Sequence, residues 1–433
     1  MIQNYRGKFR VIDSVFSGMG GTLFFMMLFV PTTYRPVKAI LLFIILLFSI
    51  FHAVSHCGRI ALHKSVLKWT IFFVLLGSFF IVYGVFQEAP GALRVSTVYI
   101  LWPAVFTIMI SWLNSKPIVL MIFQILILSA IAIGFYDLSY ILYSQGWLPE
   151  YLYLPIEQGQ GIGFYAGYVE FNLYNISTLL FLFPFVASIL LIWPQYKKFP
   201  LSKFWVWLAF ALCFLLSILS GRRALLLVIV FSFFMLFLQL AISRRIHLVF
   251  GRNTALFIFC GMAIALVFLM YLVSTQIIDL TVVSEQLTNA FDPFHDAGAR
   301  ERINQFYALI VAWTEKPLLG AGHGAGVAYL RSDQFSWAYE LFYVALLFQV
   351  GIVGLSGYVG AIIWIYWKGN QIIRSNHWLG PYMLPVLVGM TCFLLASATN
   401  PYLAKFDYMW VIFLPLALIN HWLLSQNEQA VCE

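Results

Sequence analysis

The residues whose types and spacing could act on an anionic ligand are mostly arginines. In Ser220-Gly-Arg222-Arg223-Ala-Leu-Leu, two adjacent arginines join two apolar stretches with almost no loop between them. A charge at a membrane boundary is expensive and marks a functional candidate. The guanidinium fork stays charged and binds phosphate through paired hydrogen bonds. The competing reading is that both side chains snorkel to lipid headgroups. A second pair, Arg300 and Arg302, opens an amphipathic stretch, where charges are usually just solvated. With Arg222 they could instead face one common anion. Glu340 directly precedes a long apolar run in Trp337-Ala-Tyr-Glu-Leu-Phe-Tyr. It either favours the N-terminus of the next helix or serves as a general base tuned by partial burial.

His323 lies in Gly320-Ala-Gly-His-Gly-Ala-Gly. Glycines in this density predict a tight turn where the backbone approaches a neighbour closely. No strand precedes them, which excludes a nucleotide-binding Gly-rich loop. Asp292, His295 and Asp296 could in principle hold a metal, but a solvated acidic loop explains them as well. Neither a metal nor a cofactor is expected. Tyr151, Tyr153, Tyr165, Trp313 and Trp337 could stack on sugars, although interfacial aromatic belts account for most such residues.

The elements that must position these residues are membrane helices. The chain has 433 residues, 62% hydrophobic and only 10% charged. A soluble domain carries roughly 25% charged residues. Apolar runs of about 20 residues fit helices crossing a hydrocarbon core about 30 Å thick. The pattern predicts an all-α, polytopic transmembrane bundle of about twelve spans. They fall near 13–31, 39–56, 69–87, 97–113, 118–136, 174–193, 204–220, 224–242, 254–273, 340–366, 380–397 and 407–424. The first run is read as a retained span, not a cleaved signal. Two connections are long, 137–172 and 274–339, and the second is the large loop between spans nine and ten. Within that loop Ile303, Phe306, Tyr307, Ile310 and Trp313 recur at helical spacing. Their face is expected on the membrane surface or on the bundle. Nothing divides the chain further, so residues 1–433 form a single integral membrane domain.

The net charge of +8 reads as a topology signal and not as a nucleic-acid patch. With a cytoplasmic N-terminus, fifteen Lys and Arg residues face inward and ten face outward. The outward set includes Arg35, Lys38, Arg94, Arg222, Arg223, Arg300, Arg302 and Lys405. Both long loops and all the candidate residues are then extracytoplasmic, and both termini are cytoplasmic. The 5 cysteines show no metal spacing and read as buried hydrophobes.

These features occur in the order seen in the O-antigen ligase and O-antigen polymerase superfamily, which the chain resembles. Ser220-Gly-Arg-Arg-Ala-Leu-Leu resembles the family's Ser-Arg-Gly-type junction between two spans. Arg302 through Lys316-Pro-Leu-Leu-Gly-Ala-Gly-His-Gly resembles the loop helix that starts with arginine and ends in Pro-Leu-Leu-Gly-x-Gly-x-Gly. Glu340 ahead of Gly351-Ile-Val-Gly354 resembles the final motif. The likeness covers roughly residues 200–360. Ligases carry a histidine at the position of Glu340, so the glutamate points to the polymerase branch.

The resemblance implies a metal-independent glycosyltransferase in the bacterial inner membrane. Its donor would be an undecaprenyl-pyrophosphate-linked oligosaccharide, and its acceptor a sugar hydroxyl of another lipid-linked unit. The site residues it implies are Arg222, Arg302 and Glu340, with Arg223, Arg300 and His323 binding substrate. The implied partners are membrane lipids and a chain-length regulator; nucleic acid is not among them. A ligase acting on lipid A-core is the nearest alternative. A lipid-linked glycan flippase is the alternative from another class, although its charged groups would be expected nearer the bilayer midplane.

Overall fold

The computed structural model describes residues 17–31, 33–55, 61–111, 113, 115–156, 161–165, 168–172, 175–196, 199–245, 297–330 and 334–432. In chain order the helices are α1 (Ser17–Phe29), α2 (Arg35–Ser55), α3 (Lys64–Phe86), α4 (Ala92–Ile110), α5 (Lys116–Ser144), α6 (Leu179–Leu191), α7 (Lys203–Leu219), α8 (Arg223–Ile242), α9 (Ala297–Glu315), α10 (Phe342–Arg374), α11 (Gly380–Ala396) and α12 (Trp410–Cys432). Among the described residues, 6 helical segments are long and apolar enough to cross a membrane: Lys64–Phe86, Ala92–Ile110, Lys116–Ser144, Ala224–Ile242, Phe342–Arg374 and Phe406–Asn427. The chain is a helical membrane protein. Every apolar stretch expected from the sequence within the described residues coincides with a helix; the stretch 254–273 lies outside them.

The connection read as a loop at 137–172 contains elements that hydropathy did not reveal. α5 continues to Ser144, and a short antiparallel hairpin follows, β1 (Gly161–Tyr165) and β2 (Tyr168–Asn172). Its register pairs Gly161 with Asn172. Phe171 N–H donates to the Ser220 carbonyl at 3.2 Å, which ties the hairpin to the α7–α8 junction.

Lipid supplies no hydrophobic force between helices, so close packing and polar contacts hold them together. Gly134 lets α5 approach α7: a Cβ there would lie 2.6 Å from Leu212. Across α8 and α10, Gln239 Nε2 and Ser243 Oγ both donate to Asn370 Oδ1, at 3.1 and 2.6 Å. At the same end, Arg245 donates to the Arg374 carbonyl and Arg374 to the Ile242 carbonyl. Each arginine thus satisfies the carboxyl-terminal carbonyls of the other's helix.

The decisive departure from regular helix is in α10. Gly351 breaks it with φ 61°. The chain from Pro317 to Gly322 enters the break and replaces the lost intrahelical ladder. Ile352 N–H and Val353 N–H donate to the carbonyls of Pro317 and Leu318, at 3.0 and 3.1 Å. Ala321 N–H and Gly322 N–H donate to the carbonyls of Phe348 and Gln349, at 3.0 and 2.8 Å. Irregular backbone is tolerated beside membrane helices when its polar groups are satisfied in this way. The insertion welds the segment after α9 to the span that follows Glu340.

Candidate functional site

α9 brings Arg302 to the site end of the bundle. Its inward face is Gln305 and Leu309, both fully buried. Phe306, Tyr307 and Val311 stay exposed, at 42%, 63% and 63%. Of the face expected on the membrane surface or on the bundle, Phe306 and Tyr307 are exposed, whereas Ile303, Ile310 and Trp313 are half-buried and Trp313 packs against the buried cluster that holds Leu309 and Tyr339. The sequence reading missed the inward face because a buried glutamine breaks its apolar pattern.

Arg302 Nε donates to Glu340 Oε2 at 2.7 Å, across 38 residues of sequence. The two side chains are 34% and 19% exposed, so the pair sits in a half-open position. Arg302 uses only its Nε here; its Nη groups have no hydrogen-bond partner among the described residues. Gln305 fixes the other partner from below, its Oε1 accepting the Glu340 backbone N–H at 3.0 Å. Gln305 Nε2 is buried without a hydrogen-bond partner among the described residues. Glu340 stands one residue before Leu341, the N-cap of α10.

Arg222 is the N-cap of α8, set up by Gly221 at φ 68°. Its backbone N–H donates to Ser220 Oγ at 3.3 Å, and its charge reaches Tyr408. Arg223 is the first residue of α8, and Arg300 is exposed on α9. The structure therefore joins Arg302 to Glu340, while Arg222 is presented by a different element. Asp292, His295 and Asp296 lie outside the described residues.

His323 is fully buried, stacked on Tyr99 with ring centroids 4.0 Å apart. Its Nε2 lies 2.8 Å from Tyr358 Oη and its Nδ1 3.4 Å from Gln349 Oε1. Tyr99 falls in a π turn, Thr97–Leu101, which breaks the α register where the ring is needed. Burial lowers the His323 pKa to about 3, opposed by the Gln349 hydrogen bond. It is therefore neutral at pH 7 and brings no positive charge to a substrate phosphate. Its position is that of a support behind the site.

The sign of that shift gives a stability test. The folded chain resists protonation at His323 while the unfolded chain takes a proton near the ordinary value of about 6.5. The stability it contributes is intact above that value and falls as pH drops toward 3. His323→Gln is expected to narrow the loss of stability between pH 7 and pH 4.5 by ~2–3 kcal/mol. Denaturant unfolding at both pH values measures it; the same pH sensitivity in both proteins would refute the buried neutral state.

Beside Glu340 opens a cavity of about 1100 Å³. Ala338, Tyr339 and Phe342, which flank Glu340 in sequence, line one wall. Arg35, Arg94 and Lys405 line the others, with Asp407. Sequence reading counted these cations only as topology signals. Lys38 Nζ donates to the Val30 and Pro31 carbonyls and reaches Asp407 Oδ1 at 3.4 Å, a buried pair 369 residues apart. No local signal could have revealed that pairing. Comparison with protein-family models, with curated proteins and with solved structures found no match for this chain.

Proposed function

We propose that the protein is a membrane-embedded glycosyltransferase that polymerises a lipid-linked surface polysaccharide. The observation that supports this reading most is the 2.7 Å contact between Arg302 and Glu340. It joins two of the segments through which the chain resembles the O-antigen polymerase superfamily. In the proposed reaction a glycan leaves undecaprenyl pyrophosphate for a sugar hydroxyl of a second lipid-linked unit. The acceptor oxygen attacks the anomeric carbon, the bond to the pyrophosphate oxygen breaks, and Glu340 takes the hydroxyl proton. Negative charge grows on the departing pyrophosphate, and preorganised cations stabilise it. The Nη groups of Arg302 are available for that oxygen while Nε holds Glu340. Arg222 is the second cation of the clamp, with Arg223 and Arg300 as secondary charges. A single displacement inverts the anomeric centre.

The same reading carries the finer topology: about twelve spans, cytoplasmic termini, a site at the outer face of the inner membrane, and a large loop facing outward. The chain-length regulator belongs to this proposal as well.

The test is reconstitution of purified protein with synthetic lipid-pyrophosphate-linked repeat units and no added metal. A ladder of lengthening lipid-linked chains on a gel is expected, and it should persist in EDTA because arginines carry the charge. Transfer to lipid A-core with no ladder would move the protein to the ligase reaction. No transfer of any kind would remove the enzymatic reading.

Gln305 supplies a second handle. Gln305→Met removes the acceptor for the Glu340 N–H, a cost of about 1–3 kcal/mol, and also removes an unpartnered buried donor of similar cost. Stability should change by no more than ~1 kcal/mol, because these terms oppose each other. Transfer should fall about tenfold as Glu340 loses its anchor. Unchanged turnover would detach Gln305 from the site.

A further inference from the structure

The cavity beside Glu340 is built for something other than lipid tails. Its cationic side chains come from three separate elements: Arg35 opens α2, Arg94 lies in α4, and Lys405 precedes α12. All three are exposed to the cavity or its mouth. Among the described lining residues three are cationic and one, Asp407, is acidic; Lys38 stands against Asp407 from behind, and Arg35 and Lys405 also act on it electrostatically.

The rest of the wall mixes aromatic rings with aliphatic residues such as Val95, Ile156 and Leu346. Trp102 and Phe406 stack with ring centroids 4.6 Å apart and planes 5° from parallel. Arg94 lies 4.3 Å over the Phe335 ring and 5.9 Å from that of Trp337. That contact seats the Arg94 guanidinium against aromatic faces. Aromatic rings beside cations suit a ligand with sugar faces and an anionic group. An acyl chain would need neither the charge nor the polar lining. A volume of about 1100 Å³ exceeds what a single phosphate requires.

We propose that this cavity binds the anionic, phosphate-linked end of a saccharide, with Arg35, Arg94 and Lys405 on the phosphate and Trp102, Phe406 and Trp337 against sugar rings. The binding follows from the cavity itself. Its role, presenting an acceptor hydroxyl to Glu340, rests on the transferase reading above. The wall shared through Ala338, Tyr339 and Phe342 makes the two sites neighbours, so donor and acceptor would have separate anion sites.

Binding is measured on the purified full-length protein in nanodiscs of zwitterionic lipid. The probes are a disaccharide 1-phosphate, the same disaccharide without phosphate, and inorganic pyrophosphate. The disaccharide 1-phosphate is expected to bind at least about tenfold more tightly than either other probe, since it alone meets both charge and rings. Arg35→Gln and Lys405→Gln should each weaken it about tenfold, and Arg35→Lys should restore part of the loss. Equal binding in wild type and the double variant Arg35→Gln/Lys405→Gln would overturn the site. So would pyrophosphate binding as tightly as the sugar phosphate, or phosphatidylglycerol in the nanodisc abolishing it, since the cavity would then hold a free anion or a lipid headgroup. Arg94 is left intact because it also packs on Phe335. Loss of the polymer ladder without loss of this binding would reject the transferase reading and keep the site.

Discussion

Glu340→Gln is expected to lower glycan transfer by about 10²–10⁴-fold while leaving the protein folded. The amide keeps the size and one acceptor oxygen of the carboxylate but cannot take a proton at neutral pH. Arg302→Ala should cost about 10²–10³-fold by removing charge from the leaving pyrophosphate. Neither change should matter much to stability. The pair is partly exposed, at 34% and 19%, and exposed ion pairs contribute only about 0–1 kcal/mol. A large loss of rate beside an unchanged thermal midpoint separates chemistry from packing. The double variant should be little worse than the more damaging single one, because residues acting as a unit are not additive. Single-turnover assays on monodisperse protein decide this. Transfer within about threefold of wild type in Glu340→Gln would eliminate it as the base, since a general base contributes at least about 10²-fold.

What the sequence revealed of this architecture depended on how local the signal was. The run at 224–242 and the helix Ala224–Ile242 coincide because hydropathy is read residue by residue. The run at 118–136 fell short of Ser144, because Tyr136, Asp137 and Tyr140 dilute it although all are buried. A fully buried aspartate in a helix is invisible to a hydropathy window. The glycines at 320–324 signalled a close backbone approach, but not its target. That target proved to be α3 on one side and the broken α10 on the other, which only the assembled bundle defines. The Arg302–Glu340 contact was accessible only through the order of motifs. The cavity was not accessible at all: Arg35, Arg94 and Lys405 are hundreds of residues apart at the extremes, and each alone reads as an ordinary topology cation. Their shared side of the membrane was legible, their convergence was not. Likewise the periodicity of α9 did not single out Gln305, a polar residue that turns inward to hold Glu340.

The glycine segment carries the largest expected effect on folding. Gly322 adopts φ 90°, and a Cβ added there would lie 2.3 Å from Gly84 Cα and 2.6 Å from Gly84 N. Both obstacles are backbone, in the last turn of α3, so no side chain can swing aside to relieve them. Gly84 gives the reciprocal result, its added Cβ meeting the His323 carbonyl at 2.4 Å. Helix α3 and the inserted segment touch backbone to backbone, with His323 N–H donating to the Phe80 carbonyl at 2.9 Å. Gly322→Ala must therefore push the segment away from α3, and with it the hydrogen bonds that fill the gap in α10. Added to the strain of a left-handed backbone, this is expected to cost more than about 4 kcal/mol. The contrast is Gly360, in the same helix α10 beyond the break, where a Cβ meets nothing within 4 Å. Gly360→Ala should stabilise the helix by about 0.5–1 kcal/mol. Thermal unfolding in detergent, with size-exclusion profiles as a check on assembly, compares the two directly. A Gly322→Ala protein with a wild-type midpoint would mean that the segment does not dock in the break of α10. The coupling between α9, the insertion and the residue that precedes α10 would then have to be abandoned as the device that holds Glu340 against Arg302.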